Sequence, residues 1–195
     1  MPYVRRVLEV LLNGGHAIHC VVSPSGARVL EIEEQLLLDR RLERSAEVLR
    51  RWAGAESGEG ELTLHHHQDV AAPIASGSFP LDGMVIAPCS GSTLARVAQS
   101  LGGGLVERAA EVCLKERKRL ILVPREAPLS LGAIRNMLSV TEMGAIVLPA
   151  SPGFYHRPQS IADLVDMVAG RVCSLLGQDS AALRVWSGPP PTEKG

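Results

Sequence analysis

The sequence predicts an α/β fold, a single domain built on a mostly parallel sheet with helices on both faces, and three observations carry that expectation. Short apolar runs rich in branched residues recur between turn residues: HAIHCVV at 16–22, GMVIAPC at 83–89, LILV at 120–123 and AIVL at 145–148. Such runs suit strands buried on both faces and are too short for helices. Amphipathic stretches of helical length separate them, and this alternation calls for parallel strands joined by crossover helices. Finally, 195 residues with 46% hydrophobic content suffice for one good core. The domain is expected to span 1–177, with an irregular tail over 178–195 that carries Pro189, Pro190 and Pro191.

The first element is a helix rather than a strand. Val4, Val7, Leu8, Leu11 and Leu12 fall at helical spacing, and Asn13, Gly14 and Gly15 stop the helix. After the 16–22 strand, Ser23, Pro24, Ser25 and Gly26 turn into the helical GARVLEIEEQ. Ser23 is placed either to cap that helix or to bond a ligand phosphate or ring edge. From Leu36 to Ala55 the chain is charged and amphipathic, with Arg40, Arg41, Arg44, Arg50, Arg51 and Trp52, and reads as one or two surface helices broken at Gly58 and Gly60. A strand follows in ELTLHHH at 61–67. Adjacent strand residues point to opposite faces, so only His65 and His67 can converge, and with no acidic or cysteine partner nearby no metal site is expected. The Pro-, Gly- and Ser-rich 69–80 suits a loop or an arm that packs on a neighbouring subunit.

The 83–89 strand runs straight into Ser90, Gly91, Ser92 and Thr93 and then the helical LARVAQSL. A small hydroxylated tetrapeptide at a helix N-terminus offers free N–H groups, a favourable dipole and hydroxyl donors to a phosphate, although Ser and Thr are also ordinary caps. Gly102, Gly103 and Gly104 then lead into ERAAEVCLKERKRLILVPREAPLS at 107–130, which reads as helix, buried strand and charged loop. Ala109, Ala110, Val112, Cys113 and Leu114 form the apolar stripe of that helix, while Arg108 and Lys115, seven apart, share another face. Pro124 ends the strand, and Arg125 and Glu126 emerge at its carboxyl end, where open α/β sheets bind ligands. Three cations and one carboxylate there suit an anionic, phosphate-bearing ligand and a proton transfer to it. The plainer alternative is a solvated charged helix with a loop ion pair. A helix over 131–142 and the 145–148 strand follow, then a loop with Tyr155, His156 and Arg157, and a helix from Ile161 to Leu176. Arg171, two turns into that helix, is expected to reach back beneath the Tyr155 loop.

Composition excludes several functions. A net charge of −1 argues against a general nucleic-acid or anionic-membrane binder, and 3% aromatic residues leave no base-stacking platform. Cys20, Cys89, Cys113 and Cys173 are too far apart for a zinc or redox motif, which favours a reduced, cytoplasmic chain. No apolar run approaches the roughly 20 residues of a membrane span, and Arg5, Arg6 and Glu9 interrupt any signal sequence.

Four phrases in this order, VIAPCSGSTLA, ERAAEVCLKERKRLILVPREAPLSL, NML and GAIVLPASPGFYHRPQSIADLVDMVAGRV, resemble the UbiX flavin prenyltransferases, formerly described as aromatic acid or 3-polyprenyl-4-hydroxybenzoate carboxy-lyases. The resemblance covers 2–177. It implies a flavodoxin-like, Rossmann-like sheet that holds FMN between subunits of a homo-oligomer, commonly a dodecamer. The implied reaction moves a dimethylallyl group from dimethylallyl monophosphate onto N5 and C6 of reduced FMN. The product, prenylated FMN, serves a UbiD-type decarboxylase of ubiquinone or aromatic acid metabolism. Residue by residue, the resemblance gives FMN to Ser23 and to Ser90, Gly91, Ser92 and Thr93, and gives Arg125 to both the flavin and the prenyl phosphate. Arg108, Lys115, Tyr155 and Arg171 match the grip on the allylic phosphate, with Lys115 and Arg125 also in the catalytic set. Glu126 matches the acid/base carboxylate and Glu33 a glutamate near the flavin. No metal is implied, since cationic side chains neutralise the leaving phosphate.

Members of that family open with a strand and a G-A-S-G loop ahead of the helix that here starts at Pro2. The resemblance therefore implies a further strand and phosphate loop upstream of Met1, or a truncated chain with weak FMN affinity. Two other functions fit the same fold: an FMN-dependent cysteine decarboxylase of the coenzyme A pathway, and a flavin-binding homologue without turnover.

Overall fold

The computed structural model describes residues 1–178. In chain order the elements are α1 (Pro2–Asn13), β1 (Ala17–Val21), α2 (Pro24–Glu34), α3 (Leu42–Ala53), β2 (Glu61–His65), a 3-10 turn (Pro73–Ala75), β3 (Gly83–Cys89), α4 (Gly91–Ala98), α5 (Leu105–Lys115), β4 (Arg119–Pro124), α6 (Leu131–Glu142), β5 (Ile146–Val147) and α7 (Ile161–Leu175). The α/β alternation holds and every described strand pair is parallel. The charged 36–55 stretch yields one helix, α3, rather than two. The expected tail lies outside the described residues, apart from Gln178.

The expected single sheet is divided. β1 pairs only with β2, and β3–β4–β5 form a second sheet. Helix α1 joins them, because its apolar residues form two parallel ridges. Tyr3, Val7 and Leu11 pack with Val85, Ile121 and Val123 of the larger sheet, whereas Val4, Leu8 and Leu12 pack with Ile18 and Leu62 of the smaller. Each ridge has the spacing of residues stacked one turn apart on a helix. Main-chain bonds fix the helix's end as well, since Gly60 N donates to Leu12 O at 2.9 Å and His16 N to Leu11 O at 3.1 Å.

Strand β4 shows why its sequence is apolar throughout. Leu120 and Leu122 face the core under α4, α5 and α6, while Ile121 and Val123 face α1 and α7. A strand covered on both faces needs no polar alternation. β3 is less regular than its apolar run suggested. Its register with β4 shifts between Ile86 and Cys89, around Pro88, which has no N–H for the ladder. β5 is two residues long, yet Leu148 N donates to Leu122 O (2.8 Å) and Ala150 N to Pro124 O (2.9 Å), so the chain stays alongside β4 to its end.

Two polar contacts brace the smaller sheet. The Arg50 guanidinium donates to Gly60 O, to Ala55 O at 3.1 Å and to Gly58 O at 2.9 Å, closing the α3–β2 loop. His19 of β1 and His65 of β2 share a 2.8 Å nitrogen–nitrogen hydrogen bond with stacked rings, and Phe79 meets His19 edge-on. His65 therefore pairs with His19 and not with His67, whose ring lies against His66. Among the described residues no group of three or more His, Cys, Asp or Glu stands ready for a metal ion. Nor is any described helix long and apolar enough to cross a membrane.

Removing the Arg50 contacts in Arg50→Met is expected to destabilise the fold by about 3 kcal/mol, because several carbonyls lose a charged donor together; a urea midpoint equal to the parent's would contradict the clamp. Burial, then the neighbouring His19, hold the His65 pKa below the ordinary histidine value. The unfolded chain therefore takes up that proton first, so the contribution of His65 is present above about pH 6.5 and is lost as pH falls below it. Urea titrations between pH 7.5 and 5 should show a smaller stability loss for His65→Asn than for the parent.

Candidate functional site

The carboxyl ends of the strands form one edge, and serines mark where the chain leaves it. Ser23 follows β1 and its Oγ accepts from Gly26 N at 3.0 Å, capping α2. Ser90 follows β3 and its Oγ accepts from Thr93 N at 3.2 Å, capping α4. Both caps satisfy one helix donor, and a hydroxyl that accepts still has its own hydrogen to donate. Ser23 and Ser90 follow β1 and β3, one strand from each half of the divided sheet. In open parallel sheets ligands sit beyond the carboxyl ends of the strands.

The 90–93 turn is the best-built part of this edge. Ser90 Oγ lies 3.0 Å from both Ser92 Oγ and Thr93 Oγ1, so three hydroxyls gather over the first turn of α4. The first N–H groups of a helix lack intrahelical acceptors and carry its positive dipole end. Cys89 is aligned with Pro124, which sets Ser90 beside Arg125. Glu126 then leans over the same helix start, for a Cβ built on Gly91 would stand 3.5 Å from Glu126 Oε2. Ser90, Gly91, Ser92, Arg125 and Glu126 are all exposed. The cluster joins phosphate donors, a permanent cation and a carboxylate at one rim, a set that suits a phosphate-bearing cofactor such as FMN and a proton transfer.

The Tyr155 loop reaches the same edge through the Ala150–Pro124 bond. Gly153 N donates to Met167 Sδ at 3.0 Å, and the Tyr155 ring stands edge-on to His156 with centroids 5.5 Å apart. A capping box at Ser160 and Asp163 fixes the loop's exit into α7, and Tyr155 is 58% exposed.

Lys115 and Glu33 do not gather there within one chain. Lys115 ends α5, four residues before β4, whereas Arg125 follows β4; a six-residue strand puts roughly 17 Å between its ends. Arg171 is exposed and lies ten residues into α7, nearly three turns rather than two, or about 15 Å from its start. Glu33, at the far end of α2 from Ser23, is 3.0 Å from the amino group of Met1, with Glu34 at 3.7 Å. The expected gathering of three cations with Glu126 on one chain therefore resolves into Arg125 and Glu126 at the rim, with Arg108 and Lys115 along α5.

Part of the 69–80 loop, residues 75–79, lies against the basic residues of α5 and the turn after it. Arg108 Nε donates to Ala75 O at 3.3 Å, and Lys118 Nζ to Phe79 O at 2.7 Å and Gly77 O at 3.5 Å. Its ASGSF run of small and hydroxylated residues was the only sequence signal for that role.

Comparison with known proteins agrees with this geometry. The flavoprotein family model matches residues 1–173. A flavin prenyltransferase UbiX of Synechocystis is 42% identical over 186 residues, 95% of this chain and 90% of that relative. The flavin prenyltransferase UbiX of Pseudomonas aeruginosa is 41% identical, covering 94% and 87%. Among solved structures, AnUbiX (PadA1) in complex with FMN and dimethylallyl pyrophosphate is 36% identical with a TM-score of 0.80, covering 95% of this chain and 90% of that one. A dodecameric FMN-dependent UbiX-like decarboxylase from Escherichia coli O157:H7 is 36% identical with a TM-score of 0.81, covering 96% and 93%.

Cys89, directly beneath Ser90, is 3% exposed, and burial pushes its thiol up to about 12. Reaction needs the thiolate, so iodoacetamide at pH 8 should leave Cys89 unmodified in the native protein while labelling it in urea, as read by peptide mass spectrometry.

Proposed function

The chain belongs to the flavoprotein family as a flavin prenyltransferase of UbiX type, and we propose that its rim residues join a dimethylallyl group from dimethylallyl monophosphate to N5 and C6 of reduced FMN. The observation that carries the reading is the Glu126 carboxylate poised over the hydroxylated start of α4, beside Arg125. Ser23, Ser90, Gly91, Ser92 and Thr93 hold FMN through hydroxyl and backbone donors. When bound and reduced, FMN supplies the nucleophilic ring atoms to which the allyl carbons become attached.

The residues supply the rest. As the allylic C–O bond breaks, negative charge grows on the departing phosphate. Arg125 and the side chains of Arg108, Lys115, Tyr155 and Arg171 neutralise it. Glu126 carries a proton, giving one to the phosphate oxygen or taking one from the flavin as the new ring closes. Glu33 stands with the flavin in the same scheme. The walls formed by neighbouring subunits exclude water and hold the reactants in line.

Because Lys115 and Glu33 lie away from the Arg125 rim of their own chain, each serves the rim of an adjoining protomer. α6 supports such an assembly. Leu131, Ile134 and Leu138 recur one and two turns apart on its surface and are 62%, 50% and 59% exposed, an apolar stripe that association would cover. A homo-oligomer of the dodecameric kind is the proposed state, with residues 1–177 as one flavoprotein domain. The product passes to a UbiD-type decarboxylase, and the four free cysteines suit the reducing cytoplasm.

Anaerobic incubation of the full chain with reduced FMN and dimethylallyl monophosphate should yield a flavin heavier by one C5 unit. Glu126→Gln should lower the rate by about a hundredfold with FMN affinity retained. No mass gain, with FMN bound tightly, would instead identify a binding protein without turnover; an undiminished mutant rate would remove Glu126 from proton transfer.

A further inference from the structure

We infer that the Ser76–Gly77–Ser78 loop is a wall of the phosphate seat, its two hydroxyls facing the same anion as Arg108 and Lys115. The inference deepens the proposed function and rests on its reading of Arg108 and Lys115 as phosphate-binding residues.

The loop is tied to the basic face of α5 along its length. Arg108 Nε holds Ala75 O at 3.3 Å and Lys118 Nζ holds Phe79 O at 2.7 Å. Between these anchors, a Cβ built on Gly77 would stand 3.0 Å from Lys115 Nζ and would run into Glu116 Oε1. The Gly77 backbone therefore lies against the ends of the Lys115 and Glu116 side chains, with the two serines on either side of it in the chain. Ser76 and Ser78 are both exposed, with their Oγ atoms 2.9 Å apart. When two hydroxyls share one hydrogen bond, one O–H hydrogen remains to point outward.

The donors match a phosphate. Lys115 directs one of its three ammonium donors to Glu116 at 2.8 Å, and Arg108 directs one N–H to Ala75 O and one to Glu111 at 3.0 Å. The rest can fan around a tetrahedral anion. Glu111 and Glu116 are the opposing charges, against Arg108, Lys115 and Lys118, so the patch stays cationic. Glu116 holds Lys115 against the loop as a positioning residue. A loop that merely strapped the helix would use the Ala75 and Phe79 carbonyls and leave its serine hydroxyls replaceable.

The test uses the full chain loaded with oxidised FMN, which binds the donor without turnover. Calorimetry with dimethylallyl monophosphate and with inorganic phosphate is run on the parent, on S76A/S78A and on K115A, with FMN affinity followed by flavin fluorescence. The double variant is expected to bind both probes about tenfold more weakly, as loss of charge-assisted bonds of this kind gives, with FMN affinity unchanged. If K115A weakens binding while S76A/S78A binds as the parent does, the loop is only a strap and the inference fails alone. If K115A binds as the parent does, the phosphate reading of α5 falls and the inference with it. Loss of FMN affinity in S76A/S78A would equally overturn it, because the serines would then act on the flavin.

Discussion

The double ridge of α1 is the contact on which the site depends. β1–β2 and β3–β4–β5 share no described ladder, so their relative placement rests on packing, with α1 setting one ridge against each half, and on the bond from Leu105 N to His67 O. The residues of the two ridges alternate around the helix, so α1 cannot slide along one half without dragging the other. Helix α7 backs the same arrangement, with Arg6 Nε 2.7 Å from Asp166 Oδ1. The carboxyl edges of the two halves, where the flavin is proposed to bind, are thus held together in part by a helix that supplies no predicted ligand contact.

Charge is distributed so that no single chain assembles a strong anion trap. The rim holds one arginine beside one glutamate, and the other cations of the proposed grip lie along or at the far ends of helices. Their carboxylate neighbours, Glu111 for Arg108 and Glu116 for Lys115, keep an isolated chain from presenting bare positive charge. Exposed pairs of this kind add little stability, so their use is better sought in holding side chains ready. Association would then create the full phosphate grip only where two chains meet, which couples assembly to chemistry.

Much of this was legible in the sequence. The ridges of α1 were visible as Val4, Val7, Leu8, Leu11 and Leu12, and the apolar run 120–123 marked a doubly covered strand. Both are local periodicities that the chain writes directly. The Ser90 turn was legible as a helix N-terminus, because a strand followed at once by Ser90, Gly91, Ser92 and Thr93 supplies its own cap. What escaped depended on contacts distant in sequence. The division of the sheet could not be read from strand runs that look alike. His65 was expected to share a face with His67 until pairing with β1 set it against His19. Lys115 and Arg125 flank a single strand, and sequence proximity disguised the fact that a strand separates its two ends. Loop 75–79 carried only a composition signal, and its seat on α5 depends on Lys118, some forty residues away.

The placement of Glu126 gives the rim its chemical direction. The start of α4 offers partial positive charge, Arg125 adds a full one, and Glu126 alone matches both with its single negative charge. A phosphate arriving at the same edge places a second anion beside that carboxylate. In the proposed reaction Glu126 is the group placed to exchange a proton with the oxygen that must leave. A neutral amide at this position would keep the shape of the rim and lose that exchange, whereas a rim without Arg125 would keep the exchange and leave the anion ungripped. The two neighbouring residues at the end of β4 thus divide the work, one with a fixed charge and the other with a charge that can change.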